Sequence, residues 1–258
     1  MKPEMEGKFI SMTDSLQNMI HARCFTQDEL MLIIENIESV KLSYKETQNK
    51  YPDDENAVIW AFMNKLQESI EHFIKNNPNG QKITCAKGCA FCCHVNVDIT
   101  KPEADLLARY TIEHAIPVNS DRLAKQSKVS LDEDGFIPLS YEDSACIFLD
   151  EHSQCMVYEY RPMACRKYMV ITPPDECNIV TNRHGKVGRA VDINGEMIVS
   201  ALYGILETNS MAKMFKQSIH ENEKKNKILI KISGNKSKLP VEEQTKDNAG
   251  DKKQPAVL

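Results

Sequence analysis

Cys85-Ala86-Lys87-Gly88-Cys89-Ala90-Phe91-Cys92-Cys93, followed by His94, is the stretch that organises this chain. Four thiols within nine residues add little to a packed core, but they match the local ligand spacings of zinc and iron-sulfur sites. Three further cysteines follow at Cys146, Cys155 and Cys165, and Cys177 is an eighth candidate. If residues 85–93 were helical, a rotation of about 100° per residue would gather their four thiols within an arc of about 80° to 100°. Gly88 permits a tighter turn instead, and either path converges the thiols. Cys92 and Cys93 are adjacent and do not readily bind one tetrahedral ion together with two local partners. One of them is therefore expected to serve a second metal or to bridge two.

The ligand count points the same way. A closed zinc site takes four ligands, so seven or eight cysteines suggest either two mononuclear sites or a polynuclear iron centre. Four thiolates around one divalent ion leave a net charge of about −2, which needs nearby positive groups or N–H donors when buried. Lys87, Arg161 and Arg166, with Lys167 beside them, are placed in sequence to supply that compensation as outer partners of the ligands. His94 adjoins the block and is a further candidate ligand, weighed against a surface or hydrogen-bonding role. Disulfides and unligated core thiols are the bland alternatives. The tight clustering argues against scattered core thiols, and the expected compartment argues against disulfides.

That compartment is the cytoplasm. Met1 to Asp14 lack an apolar signal core, and no run approaches the roughly 18 apolar residues of a membrane span. A net charge of −5 over 258 residues excludes nucleic-acid binding through a broad basic surface. No membrane and no nucleic-acid partner is expected; a protein partner is the remaining expectation.

Apolar spacing gives a mainly α (α+β) reading: a helical scaffold around a small irregular cysteine module with a short β-hairpin. A helix is expected around Ser15 to Cys24, and Cys24 is assigned as a free thiol remote from the cluster. Leu30, Ile33, Ile37, Val40 and Tyr44 mark a long helix from Asp28, and Val58, Phe62, Leu66, Ile70 and Phe73 mark its antiparallel partner, stopped by Asn77-Pro78-Asn79-Gly80. Trp60 is assigned to packing. Thr100-Lys101-Pro102-Glu103 has the capping-box pattern, predicting a helix to about His114. A further helix is expected over Ser120 to Ser130. Cys146-Ile147-Phe148-Leu149 and Cys155-Met156-Val157-Tyr158 are predicted as the two arms of the hairpin. Arg161-Pro162 opens a short turn or helix carrying Cys165. Asn194 to about Ser210 is predicted helical, continuing after a kink through Ala212 to Asn222. The organisation expected is a helical region over 1–80, the metal-binding module over 81–180, C-terminal helices over 181–232 and a disordered tail over 233–258.

Cys85-x3-Cys89-x2-Cys92-Cys93, then Cys146-x-Phe148-Leu149, then Cys155-x-Val157-Tyr158-Glu159-x-Arg161-Pro162-x2-Cys165-Arg166-x-Tyr168 resembles the YkgJ-type cysteine-cluster family, a zinc- or iron-chelating domain. The resemblance covers roughly residues 82 to 170 and implies metal chelation through the seven matching cysteines. The first spacing here is three residues where the family often has two. Flagellin lysine methylases carry a similar cysteine arrangement, which makes methyl transfer an alternative activity. The cysteines alone do not transfer it.

Three functions remain from the sequence. An iron centre, mononuclear, polynuclear or iron-sulfur, could serve redox chemistry or catalysis. A structural zinc could staple loops that bind a partner protein. A radical S-adenosylmethionine enzyme matches Cys85-x3-Cys89-x2-Cys92, but the chain lacks the alternating strands and helices of a barrel. Asp98, Asp143 and Asp150 are acid-base candidates only if they approach the metal. Gly185 to Arg189 is taken as a surface turn.

Overall fold

The computed structural model describes residues 12–23, 25–76, 80–132, 136–183 and 185–234. In chain order these form α1 (Asp14–Arg23), α2 (Gln27–Lys50), α3 (Glu55–Asn76), β1 (Asp98–Thr100), α4 (Lys101–Glu113), α5 (Ser120–Gln126) and α6 (Tyr141–Ser144). They continue with α7 (Met163–Arg166), β2 (Met169–Val170), β3 (Arg189–Ala190), α8 (Ile193–Tyr203), β4 (Thr208–Ser210) and α9 (Met211–Gly234). The fold is mainly helical, with two small antiparallel sheets, β1–β4 and β2–β3. One compact unit spans Met1–Asn222 and contains every described cysteine; a second spans Glu223–Leu258.

Local signals explain where the helices begin. Thr26 Oγ1 accepts the Glu29 N–H at 3.3 Å while Glu29 Oε2 accepts the Thr26 N–H at 2.8 Å, a reciprocal cap for α2. Thr100 and Glu103 repeat the device at α4, as the Thr-Lys-Pro-Glu pattern predicts. The apolar stripe of α2 buries Ile33, Ile37 and Tyr44, and that of α3 buries Val58, Phe62, Leu66 and Ile70. Tyr44 meets Phe62 edge-on at 5.2 Å between ring centres, a favoured aromatic geometry.

The centre of the helical layer is α8, which buries Met197, Val199, Ala201 and Leu202 and packs against α1, α2 and α3. At Gly195 a Cβ would lie 2.7 Å from Asp192 Oδ2 and 3.0 Å from Leu66 Cδ1, so glycine lets α8 approach α3 without displacing either side chain. Another core joins Ile99, Leu107 and Ala108 to Ile147, Phe148, Val157 and Phe215, and Cys146 and Cys155 pack against it. The cysteine loops are thus attached to helices α4 and α9 by apolar burial rather than by regular strands.

Three sequence expectations change. Cys146 to Leu149 is a turn rather than a strand: a single bridge pairs Leu149 with Cys155, and Met156 N–H donates to Phe148 O at 3.0 Å. The hairpin is reduced to this because Asp150 closes the turn by accepting the His152 and Gln154 N–H groups at 2.9 and 2.7 Å, leaving few residues for a ladder. The helix expected to Ser210 ends at Tyr203; the chain turns and pairs Thr208–Ser210 with β1 before α9 begins. The helix from Ser120 stops at Gln126, capped at its start by Asn119. The readings of Cys24 and of the tail from 235 onward lie outside the described residues, as does most of the Asn77 to Gly80 stop.

Candidate metal centre

Each cysteine reaches the site by a different local device. Gly88, at φ +93°, turns the chain between Cys85 and Cys89, so the glycine turn and not a helix shapes the first block. Residues Phe91–His94 then form a 3-10 turn that carries Cys92 and Cys93. Cys146 is docked onto that turn by its own N–H, which donates to Cys93 O at 2.7 Å. Its loop is clamped from α5. Arg122 donates to the carbonyls of Glu142, Cys146 and Leu149 at 3.0, 3.4 and 3.2 Å, and Gln126 donates to those of Asp143 and Ala145, each at 2.7 Å.

Cys165 sits in α7, whose first turn is held by Glu103. This carboxylate is 1% exposed and accepts the Met163 N–H at 2.7 Å while also capping α4. Arg166 braces the same segment. It is buried and donates to Arg161 O at 2.9 Å, to Gln67 Oε1 at 3.1 Å and to Glu159 O. Cys177 closes the 3-10 turn Pro174–Cys177, which packs against the Phe91–His94 turn.

The eight described cysteines are all half-buried and unpaired by disulfides. Cys92 is their hub. It shares a side-chain hydrogen bond with Cys93 and lies within charge range of Cys85, Cys146, Cys155, Cys165 and Cys177; Cys89 acts on Cys85 and Cys177. A cavity of about 280 Å³ opens onto Cys89, Cys92, Cys93, Cys146, Cys155 and Cys165, with apolar Val97, Ile137 and Met211 and the cation Arg161 also in its lining. A second, of about 450 Å³, meets the cluster at Cys92 and Cys165.

Burial sets the protonation of these thiols. It pushes Cys146 up to about 12 and Cys177 up to about 11, and holds Cys165 well above the ordinary thiol range. Cys92 is raised first by its hydrogen bond with Cys93 and then by burial. Hydrogen bonds from the backbone and a nearby cation favour the thiolate instead. The Val170 N–H donates to Cys85 Sγ at 3.1 Å, and the N–H groups of Phe148 and Val157 donate to Cys146 and Cys155. Arg161 acts on Cys85, Cys92, Cys155 and Cys165 together, with its guanidinium 4.1 Å from the Tyr158 ring centre. Lys87 lies over the same ring at 5.1 Å.

The other candidates are placed as follows. His94 is buried, stacked on Tyr141 at 3.8 Å, with Nδ1 3.2 Å from Ala90 O. Lys167 bonds Glu196 at 2.6 Å, directing its charge to a buried carboxylate rather than to sulfur. Asp143 is ion-paired with Lys125 at 2.7 Å, Asp150 organises its turn, and Asp98 is exposed and bonded to Asn96. Asp143 and Asp150 are thus taken up in structural contacts, whereas Asp98 lines both cavities beside Cys92. Sequence reasoning missed Glu103, Arg122 and Gln126 as positioning residues. The capping pattern located Glu103, but its second bond, sixty residues away, left no local signal.

The donor set suits a thiophilic ion: soft thiols, N–H donors aimed at sulfur, and the half-buried Arg161 guanidinium, whose enclosed Nε has no hydrogen-bond partner. Among the described residues, no three Cys, His, Asp or Glu side chains form a group that could hold an ion in their recorded positions. The thiols are gathered but not closed around one point.

Residues 84–185 match the family model CxxCxxCC, described as a "putative zinc- or iron-chelating domain". Comparison with curated proteins and with solved structures finds no match.

Proposed function

With residues 84–185 belonging to the CxxCxxCC family, we propose that this chain holds iron or zinc through Cys85, Cys89, Cys92, Cys93, Cys146, Cys155 and Cys165, joined by Cys177, in a centre used for redox chemistry or catalysis. The observation that carries the reading is the convergence of Cys89, Cys92, Cys93, Cys146, Cys155 and Cys165, from four separate segments, on the lining of one cavity. Arg161 offsets the negative charge of the thiolates, and the N–H groups of Val170, Phe148 and Val157 stabilise three of them. A bound iron would supply electron-transfer or Lewis-acid chemistry, and zinc the latter alone.

A reactive role is supported over a purely structural one by the cavity. Structural zinc sites are closed, whereas six of these cysteines line a space of about 280 Å³ that can admit a small reactant. The test is metal analysis of anaerobically prepared protein together with visible and Mössbauer spectra. Stoichiometric iron with thiolate-to-iron absorption is expected for the redox form. A colourless protein holding only zinc would overturn the redox reading, and one that binds neither metal would overturn the whole proposal.

A further inference from the structure

Resting on that reading, we infer that the cavity onto which six cysteines open takes a small organic acid with an apolar body. Its carboxylate is held at Lys213, and its body lies against Leu131, Ile137, Phe148 and Met211 with the far end towards sulfur.

Charge around this cavity is one-sided. The lining holds three cations, Lys87, Arg161 and Lys213, and one carboxylate, Asp98, which is exposed and already accepts from Asn96 Nδ2 at 2.8 Å. The second cavity is balanced instead, with Lys167 and Arg189 against Asp14 and Asp98. Elsewhere Lys101, Lys125 and Arg183 meet carboxylates at 2.6, 2.7 and 2.5 Å. Among the described residues, none of the three cations at the cysteine cavity has such a partner.

Two of the three are committed to the centre. Lys87 and Arg161 belong to the cysteine-bearing segments and stand over the Tyr158 ring at 5.1 and 4.1 Å, where they offset thiolate charge. Lys213 is half-buried in the first turn of α9, an element without cysteines, so its charge is left for a ligand. Three residues earlier Ser210 lines the same cavity, and its enclosed hydroxyl has no hydrogen-bond partner. A carboxylate on Lys213 makes a charge-assisted hydrogen bond, stronger than any a neutral head group could make there.

The frame that holds this wall also carries the thiols. The Met211 N–H donates to Val97 O at 2.8 Å, and Ser210 pairs with Asp98, just after the Phe91–His94 turn of Cys92 and Cys93. Lys216 Nζ reaches Ser127 Oγ at 3.1 Å, tying α9 to the end of α5, from which the chain runs on to Leu131. Phe148 and Met211 are buried and Ile137 half-buried, while Leu131 is 43% exposed, apolar area that a ligand body would cover. Orientation follows from charge. A thiolate-held centre is negative, so it repels the acid group towards Lys213 and faces the apolar end.

Calorimetry of the reduced full chain, with and without added zinc, tests this with hexanoate, 1-hexanol and acetate as probes. Hexanoate is expected to bind about tenfold or more tighter than hexanol, as a hydrogen bond to a charged group provides, and tighter than acetate, which lacks the body. Lys213→Gln should erase the preference for hexanoate over hexanol while leaving hexanol affinity, metal content and far-ultraviolet dichroism unchanged; Lys213→Arg should keep it. Leu131→Ser should weaken hexanoate and hexanol alike. Equal affinity for hexanoate and hexanol, or a preference that survives in Lys213→Gln, overturns the acid site. Acetate binding as tightly as hexanoate overturns the apolar body. A chain that holds zinc and binds none of the probes overturns the pocket alone. One that takes up neither zinc nor iron but keeps the Lys213-dependent preference supports the pocket and overturns only the metal-binding reading.

Discussion

Replacing Glu103 by alanine is expected to destabilise the metal-free protein and weaken metal binding at a distance. Glu103 is 1% exposed and accepts the Met163 N–H at 2.7 Å, the Thr100 N–H at 2.8 Å and the Thr100 hydroxyl at 2.9 Å. Removing it leaves the buried Met163 N–H without a partner, which costs about 1–3 kcal/mol. Losing half of the reciprocal cap on α4 adds about 1 kcal/mol. Relief of the carboxylate's own burial penalty, which raises its pKa, offsets part of this. A net loss of about 1–3 kcal/mol results, readable as a lower urea midpoint at unchanged slope. Because Met163 opens the helix that carries Cys165, metal affinity should also fall by about tenfold or more, in the range seen when outer partners of ligands are removed. Glu103→Gln keeps the side-chain oxygens' shape and one acceptor, and should lose less than half as much of each. A Glu103→Ala protein within about 0.5 kcal/mol of wild type, the range of an ordinary surface change, would refute the reasoning.

Four further outcomes are expected. Cys89→Ser and Cys165→Ser should lower bound metal, whereas Cys24→Ser should leave it unchanged; equal metal content in all three would overturn the ligand assignment. Arg161→Gln should weaken metal binding by about 10–100-fold without altering the far-ultraviolet dichroism, since the guanidinium acts on four thiols at once. Metal binding should release protons and weaken as pH falls. Cys146 at about 12 and Cys177 at about 11 are protonated at neutral pH, so each thiolate formed frees about one proton and affinity drops by up to about tenfold per thiol per pH unit. Calorimetry in buffers of different ionisation heat measures this, and binding without proton release would contradict it. Arg122→Ala, which removes bonds to three carbonyls of the Cys146 loop, should cost about 1–3 kcal/mol and raise hydrogen exchange across 142–149; unchanged exchange there would count against the clamp.

The helices were legible because their information is local. The apolar stripes of α2 and α3 and the Thr100–Glu103 cap lie within one or two turns of sequence, and the structure forms them where those patterns fall. The cysteine block was legible by spacing, and Gly88 signalled its turn. What escaped depends on distant partners. The 194–210 segment has helical apolar spacing, yet Thr208–Ser210 pairs with a strand over a hundred residues earlier, a contact no local window contains. Lys167 was read as a compensating charge because it stands beside Cys165, but Glu196, folded in from α8, takes it at 2.6 Å. Arg166 is adjacent to Cys165 and instead braces backbone carbonyls, while Arg161, five residues before Arg166, reaches the thiols. Adjacency in sequence does not fix side-chain direction in a loop.

The central claim is that a metal is held here by cysteine sulfur. X-ray absorption at the metal edge of the protein reconstituted with zinc tests it most directly. The account predicts about four sulfur scatterers per ion at about 2.3 Å and no nitrogen or oxygen shell. A first shell made mainly of nitrogen or oxygen would contradict it.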